Sequence, residues 1–340
     1  MKSATSESSD RDSRKRLARV AAVAVPILLL GLWARSIGAG KVGEALVTGL
    51  TQGAMIALVA LGYTMVYGVL KLINFAHSEV FMMAAYIGVF VLGAMGIENP
   101  LLSGACAIVV AMIGASLLGI TVERVAYRPL RGRGKGALVR VTPLVTALGV
   151  SVLLQNAAQL LFSARYRSYP QLITGSVALP GVGPVGKSRL IILVVAITVM
   201  ILLELIVKKT WFGKAMRALS ANEEAARLMG VRTSRVISAT FALGSSLAAI
   251  GAVLFCVDQS SVYPTMGSAI GTRAFVAAVL GGIGSIPGAM LGGLLLGVLG
   301  ELVKLSSYSG SIDAPVFVVL IAVLLVRPAG LLGSNRVEKV

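Results

Sequence analysis

Residues 49–86 read GLTQGAMIALVALGYTMVYGVLKLINFAHSEVFMMAAY. Two apolar runs flank a short polar cluster, Asn74-Phe75-Ala76-His77-Ser78-Glu79, which contains the only histidine of the chain. Helical spacing places Gly49, Gly53, Ala57 and Ala60 near one face, and small residues four apart let two membrane helices touch backbone to backbone. Ionisable groups at membrane depth are costly and usually face a cavity or a partner. On one reading, this is a broken helix whose Asn74, His77 and Glu79 line a translocation path or brace a gate. On the other, it is a turn at the cytoplasmic side, with Ser78 or Asn74 capping the helix that follows.

The rest of the chain has the same character. Of 340 residues, 56% are hydrophobic and 13% charged, and the mean hydropathy is +0.89. A soluble domain carries about 25% charged residues, and no single water-soluble core could hide this much apolar surface. Lipid is therefore the solvent for much of it, and the 39 glycines suit close helix approach in a bilayer. The fold class is all-α, a polytopic integral membrane protein. Cys106 and Cys256 both lie in apolar runs and read as small core residues, with no disulfide or metal site implied.

Ten apolar segments can be marked, at about 20–37, 42–70, 79–97, 101–127, 141–162, 189–207, 236–257, 270–287, 288–303 and 315–331. Several fall short of the roughly 20 residues of a simple span. We therefore expect eight to ten transmembrane helices, with broken or re-entrant segments around 71–79 and 281–288. Residues 1–19 form a polar, disordered cytoplasmic tail before an uncleaved first span, and 20–335 form one transmembrane domain. The formal charge of +17 would suggest nucleic acid in a soluble protein. Here it follows orientation instead. With the N-terminus inside, lysine and arginine number six in 1–19, one in 71–79, six in 124–140, seven in 208–235, none in 281–288 and three toward the C-terminus, 23 of the chain's 31. That bias puts both termini in the cytoplasm and 163–188 outside. The same count allows two inverted four-span halves flanking the sixth span, an arrangement common in transporters.

The external loop 163–188, SARYRSYPQLITGSVALPGVGPVGKS, is rich in turn-forming and β-branched residues and should form irregular or short β structure. Within it, Gly181 to Ser188 satisfies the phosphate-loop pattern GxxxxGK[ST]. That chemistry needs an α/β sheet around it, whereas this loop enters the apolar run Leu190–Leu205, so the match is taken as chance. The loop 208–235 contains WFGKAMRALSANEEAARLMGVRTSR (211–235), with Glu224-Ala225-Ala226 four residues ahead of Gly230. This predicts a short amphipathic helix over 220–230, ended by a glycine cap and carrying Leu219, Ala225, Leu228 and Met229 on one apolar side. It either docks in a groove of a partner or lies on anionic lipid. In 271–297, GTRAFVAAVLGGIGSIPGAMLGGLLLG, the residues Gly281, Gly282, Gly284 and Pro287 make a continuous helix untenable. A broken helix or a tight inter-span turn is expected there, with close packing as the plainer use of the glycines. Arg273 should pair with an acid or reach toward water. Glu44, Glu79, Glu123, Glu204 and Glu301 fall near span ends, and Glu204 with Lys208 reads as an ordinary helix ion pair.

Taken in order, GYTMVYGVLKLINFAHSEVFMMAAY (62–86), FGKAMRALSANEEAARLMGV (212–231), AFVAAVLGGIGSIPGAMLGG (274–293) and RPAGLLG (327–333) resemble the LivH type of the branched-chain amino-acid ABC permease family, from about Ala45 to the C-terminus. That family usually has glycine where Ser78 stands. The resemblance implies a system in the bacterial inner membrane. An extracytoplasmic binding protein delivers the amino acid, a second, LivM-type permease completes the path, and two cytoplasmic ATPase subunits drive it. This chain would be a transport subunit and not an enzyme. It would hold no cofactor of its own, with ATP on the partner subunits, and it would touch membrane lipid and no nucleic acid. Glu224, Ala225, Ala226 and Gly230 would form the ATPase-coupling segment. The spans after the breaks at Asn74, His77, Glu79 and at Gly281, Gly282, Gly284 would flank the path. Urea or short amides are the alternative substrates. An ion-coupled secondary transporter would need a mid-span acid and no docking loop, and a lipid-acting membrane enzyme would need clustered acids or histidines.

Overall fold

The structure, a computed structural model, describes residues 39–95, 99–130, 138–180, 182–305 and 313–333. The tail 1–19, the first apolar segment 20–37 and the extreme C-terminus lie outside the described residues. The other nine apolar segments are helices. These are α1 (Ala39–Leu70), α2 (His77–Met95), α3 (Pro100–Val122), α4 (Leu138–Phe162), α5 (Lys187–Lys209), α8 (Thr233–Gln259), α9 (Met266–Gly281), α10 (Ile286–Lys304) and α11 (Asp313–Val326). Two short helices, α6 (Trp211–Ala221) and α7 (Glu223–Leu228), connect α5 to α8. Among the described residues, seven helices are long and apolar enough to cross a membrane, while α9 and α11 are shorter. The chain is an all-α integral membrane protein.

The connection 163–188 carries the expected short β structure. Strand β1 (Arg167–Ser168) pairs antiparallel with β4 (Ser261–Val262), and β2 (Ser176–Leu179) pairs antiparallel with β3 (Gly183–Gly186). The phosphate-loop lookalike therefore supplies one strand of a two-stranded hairpin and the first residues of α5, with no parallel sheet among the described residues. We call this the strand end of the bundle, and the opposite end, with α6 and α7, the connector end.

Helix packing follows membrane rules. The buried row of α3 is Ser103, Ala107, Ala111, Ala115 and Gly119, spaced by four, while Leu101, Val109, Ile113 and Leu117 point outward. Small residues face protein and large ones face lipid, because hydrocarbon solvates leucine as well as a protein core does and only close backbone approach adds attraction. The same rule joins α1 to α10. A methyl group on Gly53 would stand 2.7 Å from the Gly293 carbonyl oxygen, and one on Gly49 would stand 2.7 Å from Val298 Cα.

The two halves repeat with inverted direction around α5. Helix α1 packs on α10 as α8 packs on α3; α2 packs on α3 as α9 packs on α10; and α1 meets α9 as α8 meets α2. The landmarks agree. Lys71 after α1 and Ser260 after α8 are both left-handed, with φ of 56° and 51°. His77 N–H donates to the Asn74 carbonyl at 3.1 Å, and Met266 N–H donates to the Tyr263 carbonyl at 3.2 Å. Directions follow from Arg189 at the start of α5, which donates to Thr48 early in α1 (2.9 Å) and to Asp258 late in α8 (3.2 Å). The start of α1 is thus level with the end of α8, and the two run antiparallel.

This symmetry corrects one expectation. The counterpart of the 71–76 break is 260–265, not 281–288. Residues 282–285 make the tight inter-span turn. Gly282 and Gly284 take φ of 104° and 94°, and Ser285 Oγ accepts from Gly288 N–H at 3.2 Å to start α10. Segment eight accordingly begins and ends earlier than its hydropathy suggested, at 266–281.

Candidate translocation site

The break after α1 is built by its own polar groups. Asn74 is buried, and its Oδ1 accepts from Ala76 N–H (3.1 Å) and from the hydroxyl of Tyr127 (2.9 Å), in the π-helical turn Glu123–Tyr127 that follows α3. Of the two residues considered as caps, Asn74 makes this local bond, the usual way an Asn side chain substitutes for missing helix partners. The Ser78 hydroxyl instead donates to the Phe75 carbonyl at 2.9 Å.

The chain then turns back, so α2 starts well inside the bundle. His77 packs against Gly62 of α1, eight residues before that helix ends, and Gly62 in turn meets Gly244 of α8. Its ring stands edge-on to Tyr63 with centroids 4.9 Å apart. The Ser78 side chain fills the space over Gly271 of α9, where a Cβ would collide with it. That missing Cβ is how the fold accepts serine at this position.

Glu79 is the most telling group. It is 1% exposed, its Oε1 accepts from Ser151 of α4 at 3.4 Å, and its Oε2 has no hydrogen-bond partner among the described residues. A methyl on Gly267 would stand 2.6 Å from Oε2, so only glycine at the start of α9 permits this approach. Helix N-termini carry partial positive charge. Glu79 lies in the first turn of α2 and against the first turn of α9, whose Thr265 cap makes no side-chain hydrogen bond. One carboxylate therefore serves two helix ends that begin inside the bundle.

The candidate residues divide into three places. Asn74, His77 and Glu79 come together with Tyr63, Tyr127, Ser151 and Gly267. Gly281, Gly282 and Gly284 do not join them. They sit at the far end of α9, 16 residues or about 24 Å long. There the Gly281 backbone packs on Gly288, and Leu331 and Leu332 donate their N–H groups to the Leu280 and Gly281 carbonyls, both at 2.9 Å. The RPAGLLG segment is thus a strap that satisfies the end of α9, a role its sequence did not disclose.

The third place is the connector. The expected single helix over 220–230 is two, because Asn222 ends α6 and caps α7 by accepting from Ala225 N–H at 2.9 Å. Leu219 is consequently buried in α6 and shares no face with Ala225, Leu228 and Met229, which is a correction to the apolar side inferred above. The glycine cap is present in full. Gly230, with φ of 83°, donates to Arg227, and Val231 donates to Ala226, both at 3.0 Å, which is the paired bonding of a Schellman end. Ala226 faces inward, Glu223, Glu224 and Ala225 are exposed, and Leu228 and Met229 project with 84% and 85% of their surface open.

The remaining ionic expectations also resolve. Glu204 pairs with Lys208, Glu301 with Lys304 and Arg273 with Asp313. Glu123 is fully buried and accepts from Ser238 at 2.6 Å. No group of three or more potential metal ligands occurs among the described residues. Tyr127, Ser151, Gly62 and Gly267 were not singled out from sequence, since each looks like an ordinary span residue and meets its partner only in the folded bundle.

An inverted bundle of apolar helices, with two helices starting inside it around a buried carboxylate, defines a polytopic membrane transport subunit. The chain belongs to the family described as branched-chain amino acid transport system / permease component, whose sequence pattern matches residues 45–327. The high-affinity branched-chain amino acid transport system permease protein BraD of Pseudomonas aeruginosa is 42% identical over 308 residues, covering 87% of this chain and 97% of that one. The LivH permease protein of Escherichia coli K12 is 39% identical over 304 residues, with the same coverages. A probable LivH of Methanocaldococcus jannaschii is 27% identical over 296 residues, covering 83% of this chain and 89% of that one. These relatives are transport subunits, not enzymes.

Proposed function

We propose that this chain is one of two permeases in an ATP-driven importer of branched-chain amino acids. It sits in the bacterial inner membrane with both termini in the cytoplasm and the strand end outside. A related LivM-type permease, two cytoplasmic ATPases and an extracytoplasmic binding protein complete the assembly, and ATP is bound by the partners. The relatives' names support the substrate. The observation that carries the ATPase partner is α7, a capped helix whose Leu228 and Met229 stand open to water at the connector end. Two large apolar side chains held out on a rigid turn need a groove to enter. The exposed apolar faces of α4 and α11 suit the second permease or lipid. The path would run past Glu79, where the Ser151 side chain of α4 and the Gly267 backbone of α9 meet.

Uptake of labelled leucine, isoleucine, valine and urea by the reconstituted complex with its binding protein tests the proposal. Saturable, ATP-dependent entry of the three amino acids is expected, and entry of urea alone would overturn it. Orientation is testable in cells. Gly175 has φ of 98° and tolerates no side chain comfortably, so the probe belongs at its exposed neighbour, as Ser176→Cys in a chain whose Cys106 and Cys256 are replaced by alanine. An impermeant thiol reagent should label it in intact cells, and labelling only after permeabilisation would reverse the topology.

Gly230→Val should separate coupling from folding. Nothing lies within 4 Å of a Cβ placed there, so its main effect is the backbone strain of φ 83°, about 1 kcal/mol or more, on the exit of α7. Normal membrane abundance, weakened ATPase retention and poor uptake are expected. Full uptake with full retention would favour a lipid-surface role for the loop. Lys187→Ala, in the phosphate-loop lookalike, should leave ATP hydrolysis by the assembled complex unchanged.

A further inference from the structure

The exposed face of α9 is unlike the lipid-facing surfaces of α3 and α5. Thr265, Ser268 and Thr272 lie open along it, and Arg273 follows, half-exposed. On α3 and α5 the open positions are chiefly leucine, valine and isoleucine. Polar groups exposed on a membrane helix mark a water-filled or substrate path. The face ends at a cavity of about 150 Å³ between α9 and α11. Its rim is ionic: Arg273 Nε donates to Asp313 Oδ1 at 2.8 Å. The rest of its lining is mostly apolar: Ala269, Val276, Val316 and Phe317, with Thr272 the one further polar side chain. Arg273 makes no other hydrogen bond among the described residues, so its two terminal NH₂ groups stay available, as does the second oxygen of Asp313. An apolar cavity of about this volume holds a six-carbon ring, so a four-carbon branched side chain fits. The cavity lies toward the strand end, since Arg273 also borders Gly297 and Glu301 of α10, and Gly297 packs on Gly49 near the start of α1.

We infer that the Arg273–Asp313 pair and the cavity beside it form a transient binding site for a zwitterionic α-amino acid with an apolar side chain. The inference rests on the import reading above and adds the residues that read the substrate. The guanidinium's free edge takes the α-carboxylate, Asp313 Oδ2 takes the α-ammonium, and the side chain enters between Val276, Val316 and Phe317. Both protein charges then keep a counter-charge while the ligand gains one for each of its own. That is why an opposed pair suits a zwitterion. A neutral amide would have to compete with the ion pair and would bring no charge to either side. Asp313 stands in the first turn of α11, where the helix end favours its negative charge while the ligand enters and leaves. Transient use requires weak, exchangeable contacts, and the pair is partly open, with side-chain exposures of 32% and 60%.

The test uses the complete complex in proteoliposomes with leucine-loaded binding protein. Asp313→Asn removes the ammonium partner. Ala269→Phe fills the cavity and leaves the ion pair in place, so it reports even if the first variant assembles poorly. Asp313→Asn should lower the maximal rate of leucine import by about tenfold or more, the loss expected when one charged hydrogen bond is removed, and Ala269→Phe should lower it by about as much because the apolar side chain can no longer enter. The binding-protein concentration at half-maximal rate and the amount of assembled complex should not change for Ala269→Phe. Leucine import by Ala269→Phe or Asp313→Asn within about twofold of the parent overturns the site. So does full recovery of import in the double variant Arg273→Asp/Asp313→Arg, the behaviour of a structural brace. In both cases the parent still imports leucine, which separates this failure from failure of the import reading, where the parent itself would carry none.

Discussion

Gly297→Leu is expected to remove the protein from the membrane. Gly297 of α10 lies directly on Gly49 and Gly53 of α1, so any Cβ there collides with the Gly53 backbone and the Gly49 carbonyl oxygen. Nothing flexible stands in the way that could move aside. The helices would have to separate along the most extensive helix–helix interface among the described residues, where Gly293 also rests on Ala57, with 2.6 Å left for a Cβ. Overpacking a core by forced backbone shifts costs about 1–3 kcal/mol and occasionally more. This site belongs to the upper end, because backbone meets backbone. Membrane abundance should fall to a small fraction of the parent's, and thermal stability of the residual protein in detergent should drop. Leu295→Ala, on the exposed face of the same helix, is the control and should change neither. Normal abundance of Gly297→Leu would mean that α1 and α10 do not pack in this way.

Glu79→Ala is expected to abolish most transport while leaving much of the protein folded. The carboxylate faces the first turns of α2 and α9, and each favourable charge–helix interaction is worth about 0.3–1 kcal/mol, rising to about 2 when partly buried. Without it, two positive helix ends face one another across Gly267 and Ser151 loses its acceptor. Import should fall by about tenfold or more, the equivalent of roughly 1.4 kcal/mol at the transport barrier. Glu79→Gln keeps the shape and one hydrogen-bond acceptor, and should fall between alanine and the parent. Glutamine with full activity would show that shape and not charge matters here. Alanine with full activity would remove Glu79 from the transport cycle altogether.

Much of the architecture was legible because membrane insertion writes directly on sequence. Every backbone polar group in the bilayer must be satisfied internally, so long apolar runs can only be helices. Nine of the ten marked segments are helices in the structure. The break at Asn74 was visible because polar groups interrupt an apolar run, and the Gly230 cap was visible because a local motif sets it. The break at 260–265 was missed. Its SSVYPT carries no charged residue, and only comparison with 71–76 through the inverted symmetry gives it meaning. The split between α6 and α7 turned on one local competition, the Asn222 side chain against helix continuation.

The sequence by itself determined that this chain is an all-helical membrane protein, which family it belongs to, where its polar interruptions fall and which connector ends in a glycine cap. These are set by hydropathy, local spacing and single-residue conformational freedom. Only the tertiary structure decided what the interruptions do. It brought Glu79 to Gly267 and Ser151, set Asn74 against Tyr127, separated Gly281, Gly282 and Gly284 from that cluster, and placed Arg273 on Asp313. Those pairings join residues from 40 to nearly 190 positions apart. They depend on which small residues let two backbones approach, a property of matching surfaces that no single stretch of chain contains.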